Sequence, residues 1–148
     1  IMSQINSGTV ISLQTSPKKG FALSRLTEVE FIAGLGISGD SHAGKSENRQ
    51  VLIMDSETQH IFEINPDVTR ENVTTKGLIL NTLTQGDLLM LGDSVKIEVT
   101  GDCAPCKNLD LQKPGLSKAI NGQRGILAKV INSGFVKVND KIVVETKS

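Results

Sequence analysis

The sequence predicts a mainly β domain, closed as a barrel or packed as a sandwich, and three observations carry that expectation. Aromatic residues are scarce: four Phe and neither Trp nor Tyr in 148 residues, so the core must come from Val, Ile and Leu. These branched residues favour strands where they alternate with polar ones. Residues 94–100, Ser-Val-Lys-Ile-Glu-Val-Thr, alternate strictly and put Val95, Ile97 and Val99 on one face. Turn signals then recur along the chain at the spacing of short antiparallel strands.

Further strands are predicted, in chain order, over 9–13, 27–32, 50–54, 78–83, 88–91, 126–131, 135–138 and 141–145. Gly86-Asp87, Gly92-Asp93, Ser133-Gly134 and Asn139-Asp140 punctuate them, because Gly, Asn and Asp tolerate positive φ or bond their own backbone. Residues 91–95 and 138–142 echo one another: an apolar residue, a tight turn, a new strand. That is repeated turn chemistry and not a duplicated domain. One helix is predicted after Met54, where Ser56-Glu57-Thr58-Gln59 fits a capping box, Ile61 and Ile64 make an apolar face, and Pro66 is a stop. A second short helix is expected over 116–120, between Gly115 and Gly122.

Residues 1–148 have the length of one domain with one core, and residues 1–7 are expected to be a flexible start. Ile1 stands before Met2, as a cleavage scar would leave it. A formal net charge of +0 argues against general binding to nucleic acid or to an anionic membrane surface, so any cationic site must be local. No apolar run approaches the ~18 residues a membrane span needs. Two cysteines, Cys103 and Cys106, make no disulfide framework, and the expected compartment is the cytoplasm.

The chemistry is expected at Gly101-Asp102-Cys103-Ala104-Pro105-Cys106, a loop that follows the best-patterned strand. A thiol there can be a nucleophile, a persulfide carrier or a soft ligand for molybdenum when its surroundings favour the thiolate; Lys107 is its sequence neighbour. Three plainer readings stand beside this one. Free cysteines are often small buried hydrophobes. A strand followed by Cys-x-Pro-Cys also suits a thioredoxin-like dithiol, but Pro114-Gly115 would cut its helix short and the chain lacks the βαβ alternation of that fold. A structural zinc site wants four ligands, and besides the cysteines only His42 and His60 are on offer, with His60 best read as a solvated helix residue.

A second segment, residues 34–44, carries Gly34, Gly36, Gly39 and Gly44 around Asp40-Ser41-His42. Backbone this rich in glycine can wrap an anion, or can be a plain flexible surface loop. It lacks the spacing of a P-loop and, with no helix pattern following, is not a dinucleotide fingerprint. Arg70-Glu71-Asn72-Val73-Thr74 reads as a polar strand entry, and Arg49 and Arg124 stand near glycines or strand starts. Guanidinium groups suit bidentate phosphate binding, although each alone is more often a surface ion-pair partner.

Taken together and in order, these segments resemble the MOSC family, the molybdenum-cofactor sulfurase C-terminal domain. The likeness lies in residues 36–44, Arg49-Gln50-Val51, Glu71-Asn72-Val73-Thr74 with Gly77-Leu78, Leu91-Gly92-Asp93, Pro105-Cys106, Arg124-Gly125 and residues 134–140. It covers nearly the whole chain.

What the resemblance implies is a closed or partly closed β-barrel, like that of pyruvate kinase, with one or two short helices and a reactive cysteine in a pocket. Cys106 matches the family's cysteine and would be the catalytic thiol and the ligand to molybdenum. Asp40, His42, Arg49, Glu71, Asn72 and Arg124 match positions expected to line the pocket or hold the phosphate of molybdopterin. Cys103 departs from many relatives, and is either a helper that resolves a persulfide or incidental. The family's activities imply either reduction of N-hydroxylated compounds at a molybdenum cofactor or sulfur transfer through a cysteine persulfide; a bare cofactor-binding or interaction domain is the third possibility. Without a desulfurase domain, no pyridoxal phosphate is expected in this chain, and a separate cysteine desulfurase or flavin reductase would be its partner.

Overall fold

The computed structural model describes residues 6–18 and 20–145. Alternation does what the sequence pattern requires of it: Val95, Ile97 and Val99 are fully buried on one face of strand β8 (Val95–Asp102). Each such side chain contributes about 2 kcal/mol relative to an exposed one. Ten more strands form: β1 (Ser7–Thr15), β2 (Ser24–Leu26), β3 (Glu28–Ile32), β4 (Gly36–Ile37), β5 (Val51–Asp55), β6 (Val73–Lys76), β7 (Leu88–Leu91), β9 (Ile126–Asn132), β10 (Gly134–Lys137) and β11 (Lys141–Glu145).

Seven of these strands close a barrel in the order β11-β7-β8-β9-β5-β6-β1, and β1 returns to β11 through the pairs Ser7 with Val143 and Thr9 with Lys141. Strand β2 extends β1, and β10-β3-β4 make a small second sheet. The expected β-barrel is therefore the observed architecture. Of the seven residues expected to be a flexible start, 1–5 lie outside the described residues, whereas Ser7 already pairs in the barrel. The two echoed turns meet in space, with Gly92 N–H donating to the Lys141 carbonyl at 2.8 Å.

Strands β5 and β6 run parallel, so a crossover must join them, and helices α1 (Ser56–Ile61) and α2 (Pro66–Thr69) supply it. Successive β5 side chains face opposite ways. Val51 and Ile53 enter the barrel core, while Met54 faces outward into a second cluster with Leu109, Leu116 and Ile120, flanked by Phe62, Ile64 and Val68. Helices α3 (Asn108–Gln112) and α4 (Leu116–Ala119) complete this outer layer.

Several local expectations need correction. The strand predicted over 78–83 is displaced: the strand is β6, and 80–82 is a 3-10 turn. Its sequence, Val-Thr-Thr-Lys, hides the pattern because its outer face meets polar groups. Leu78, Leu80 and Leu83 are buried for the barrel core from an irregular segment. The N-cap of α1 is Asp55, whose carboxylate accepts from Thr58 N–H at 3.1 Å, and Gln59 turns inward instead of completing a capping box on Ser56. Ile61 is 70% exposed, so Phe62 joins Ile64 on the apolar face in its place. Pro66 opens α2 instead of only ending α1, at a position where its missing N–H costs nothing. Four short helices form among the described residues, against the one or two expected.

Candidate functional site

The cysteine loop leaves β8 after a register shift between Val99 and Gly101. Cys103 N–H donates to the Gly125 carbonyl at 2.9 Å, which ties the loop to the entry of β9. Its side chain is buried, with Sγ 3.8 Å from the Ala104 carbonyl. Cys106 is exposed, and its carbonyl accepts from Leu109 N–H at 3.0 Å as α3 begins. Leu109 is buried in the outer core, so the exposed thiol rides on a turn anchored at both ends.

Arg124 immediately precedes Gly125. Its side chain is 8% exposed, and Nη2 donates to the Thr69 carbonyl at 2.7 Å. Nε and Nη1 are buried with no hydrogen-bond partner among the described residues. A buried, always charged guanidinium with two idle nitrogens is costly unless an anion joins it.

Glu71 is fully buried, and three donors converge on its carboxylate: Gln59 Nε2 at 2.6 Å, the Thr69 hydroxyl at 2.6 Å and the Thr74 hydroxyl at 2.5 Å. Gln14 Nε2 donates in turn to the Thr74 hydroxyl at 3.2 Å. Asn72 spans two strands: its Oδ1 accepts from Leu52 N–H at 3.0 Å, and its Nδ2 donates to the Gln14 carbonyl at 3.2 Å.

The glycine-rich segment is folded into the turn after β3, the short strand β4 and the turn beyond it. Gly36 sits at φ +130°, a conformation that side-chain-bearing residues rarely adopt, and a Cβ there would lie a tight 3.3 Å from the Gln50 carbonyl oxygen, so glycine suits this close approach of β4. The Asp40 side chain is wholly buried. Its carboxylate accepts from Ser16 N–H at 2.8 Å and from His42 N–H at 3.2 Å, and its Oδ2 lies 3.2 Å from His42 Nδ1. Burial pushes the Asp40 carboxyl up, but the bonds from His42 and Ser16 together outweigh it and hold the group below its ordinary range. His42 itself is half exposed. Arg70, in the left-handed region at φ 59°, donates to the Ser16 hydroxyl at 3.2 Å and to the Phe21 carbonyl at 2.7 Å.

The structure thus brings Glu71, Arg124 and the cysteine loop into one linked set through Thr69 and Gly125. Asp40 and His42 form a separate set around Ser16. Arg49 is exposed, away from any side-chain hydrogen bond or ion pair among the described residues. Thr69 and Gln14 were not singled out by the sequence; Thr74 stood only as the end of the Glu71–Thr74 segment and Gln59 only as a helix-capping residue, with no sign that either meets Glu71. Among the described residues, no three His, Cys, Asp or Glu gather closely enough to hold a metal ion, and no helix is long and apolar enough to cross a membrane.

Cavities open on the surface of the described residues, two of which bear on the site. One, about 310 Å³, is lined by Asp55, Glu57, Asp102, Gln123 and neighbours; the other, about 400 Å³, lies beside the glycine segment at Lys45, Gln50 and Lys129. Neither is lined by Cys103 or Cys106, although Asp102 and Gln123 place the first against the cysteine loop and Arg124.

A closed seven-stranded barrel with a helical layer outside it and a cysteine loop at a strand end is the architecture of a small closed β-barrel domain. The sequence profile of the MOSC domain matches residues 41–143, and the chain belongs to that family. The fold is shared with the YuaD protein of Bacillus subtilis at 21% identity and a TM-score of 0.81, over 99% of this chain and 100% of that one. It is also shared with YiiM of Geobacillus stearothermophilus (20% identity, TM-score 0.75, 94% of this chain and 75% of that one). YiiM of Escherichia coli gives 18% identity and a TM-score of 0.67 over 99% of this chain and 72% of that one. No curated protein matches the chain.

Proposed function

We propose that this MOSC domain binds the molybdenum cofactor, with the Cys106 thiolate as the protein ligand to the metal and Arg124 as a ligand to the phosphate of the pterin. The observation that carries this reading is the Arg124 guanidinium, buried beside the cysteine loop with Nε and Nη1 unpartnered. Those nitrogens suit a bidentate phosphate oxygen pair. Cys106, exposed on a turn held by Cys103 and Leu109, offers a soft ligand without rearrangement of the core. Asp40, Glu71 and Asn72 act in this reading by fixing the loops around the site, and His42 and Arg49 are free to meet the ligand. When bound, the cofactor supplies a two-electron redox centre for reducing an N-hydroxylated compound, with electrons from a separate flavin reductase. Two thiols without a disulfide suit the cytoplasm.

A second reading is favoured by the exposure of Cys106 outside both cavities: a persulfide carrier that receives sulfur from a cysteine desulfurase and hands it on, with Cys103 able to resolve the persulfide. One experiment separates the two. The protein is purified from cells that make the cofactor, and molybdenum and pterin are measured for wild type, Cys106→Ser and Arg124→Met. Stoichiometric metal that is lost in Cys106→Ser, with pterin lost in Arg124→Met, is the expected result. Metal-free protein that gains one cyanide-labile sulfur on Cys106 from a desulfurase would favour the carrier. Pterin bound equally by all three proteins would leave only a non-catalytic binding or interaction domain.

A further inference from the structure

We infer that the 310 Å³ cavity at the mouth of the barrel is a binding site for a small organic ammonium ion, an apolar body carrying one or two protonated amino groups. This cavity adjoins the cysteine loop but is lined by neither thiol, and the inference does not depend on the cofactor reading. Barrel mouths are a preferred place for small-molecule sites, and the volume lies at the lower end of the usual ~300–1,000 Å³.

The lining decides the class of ligand. Asp55, Glu57 and Asp102 contribute three carboxylates, and no Lys, Arg or His lines the cavity among the described residues. The Asp102 carboxylate makes no hydrogen bond or ion pair there at all, while Glu57 accepts only from Gly77 N–H at 2.7 Å and weakly from the Ser56 hydroxyl at 3.5 Å. Asp55 uses Oδ2 for its helix cap and leaves Oδ1 open. Negative charge left uncompensated around a concavity with low-dielectric walls attracts and concentrates cations.

Those walls are apolar. Leu78, Leu80 and Ile126 are buried beneath the cavity, and Ile61 and Ile79, at 70% and 55% exposure, stand at its rim. An inorganic cation gains nothing from such walls. Nor do the three carboxylates gather into a metal-chelating group among the described residues. Carboxylates over an apolar floor fit a cation whose ammonium groups are borne on a carbon skeleton, with each ammonium hydrogen-bonding an acid and the methylenes lying on Leu78 and Ile126.

The test is calorimetric titration of the whole protein with hexamethylenediamine, with hexanediol as the neutral isostere and magnesium chloride as the bare cation. The diamine is expected to bind one to one, weaken as salt rises, and perturb the backbone amide resonances of Ile79 and Ile126; hexanediol and magnesium are not. Asp102→Asn and Glu57→Gln, the latter keeping an acceptor for Gly77, should each weaken the diamine roughly ten-fold, the worth of one charge-assisted hydrogen bond. Absence of diamine binding, equal binding of the diol, displacement of the diamine by stoichiometric magnesium, or unchanged affinity in the two folded variants would each overturn the inference.

Discussion

Arg124 and Glu71 are joined through one residue: the guanidinium donates to the Thr69 carbonyl at 2.7 Å, and the Thr69 hydroxyl donates to the Glu71 carboxylate at 2.6 Å. The end of α2 is therefore held from both sides, by a buried anion on the barrel wall and by a buried cation at the entry to β9. Neither charge has an ion-pair partner within 4.0 Å among the described residues, so hydrogen bonds alone hold each in place.

Replacing Glu71 by Ala should therefore be among the most damaging substitutions in the chain. It strands the Gln59 amide and the Thr69 and Thr74 hydroxyls in a buried space. Each unsatisfied group costs ~1–3 kcal/mol, so a loss of about 3 kcal/mol or more is expected from urea unfolding. A loss below about 0.5 kcal/mol would show that the network does not bear on stability.

Gly125 sits at φ +113°, and a Cβ there would stand 2.6 Å from the Ile53 carbonyl oxygen. Gly125→Ala must move β9 away from β5 or strain the backbone beside Arg124. A loss of roughly 2 kcal/mol is expected, read as a lowered unfolding midpoint. An unchanged midpoint would mean that the strand entry yields freely.

Asp40 gives a pH signature whose sign follows from its lowered carboxyl. The group binds its proton less readily folded than unfolded, so its contribution to stability is complete above the ordinary value of 3.8 and is lost as pH falls through the folded value below it. Across an acid titration, wild type should lose more stability than Asp40→Asn on going below that value. Parallel curves would remove Asp40 from the account of acid unfolding.

The two thiols should separate by accessibility. In the native protein, iodoacetamide is expected to label Cys106 and to reach Cys103 only after unfolding, because one is exposed and the other buried. Equal labelling rates by peptide mass would contradict the burial of Cys103.

Much of this was legible from residue order. Strand β8 shows itself because Val95, Ile97 and Val99 face the barrel core while Lys96, Glu98 and Thr100 do not, which writes a period of two into the sequence; β7 and β11 show their bounds through the turns beside them, Gly86-Asp87, Gly92-Asp93 and Asn139-Asp140. Strand β6 does not, since its outward Thr74 faces Glu71 and its inward Thr75 is polar, so the leucines that follow drew the prediction downstream. Helix α3, which places Cys106, is five residues long and too short to show a helical period. Of the expected site, the link among Glu71, Arg124 and the cysteine loop could not be read, because it runs through the Thr69 carbonyl and a Gly125 backbone bond that no side-chain pattern reports.

The pairing of β1 with β11 has a kinetic side. The first and last described strands meet, with Val144 N–H donating to the Asn6 carbonyl at 3.1 Å, so the barrel's seam cannot close until almost every intervening residue is in place. A ladder of this sequence separation forms late and slowly, on the ~ms–s scale of non-local β topologies. Until it forms, β1 and β11 each present an open edge to other chains, and that interval is when this protein is most exposed to aggregation.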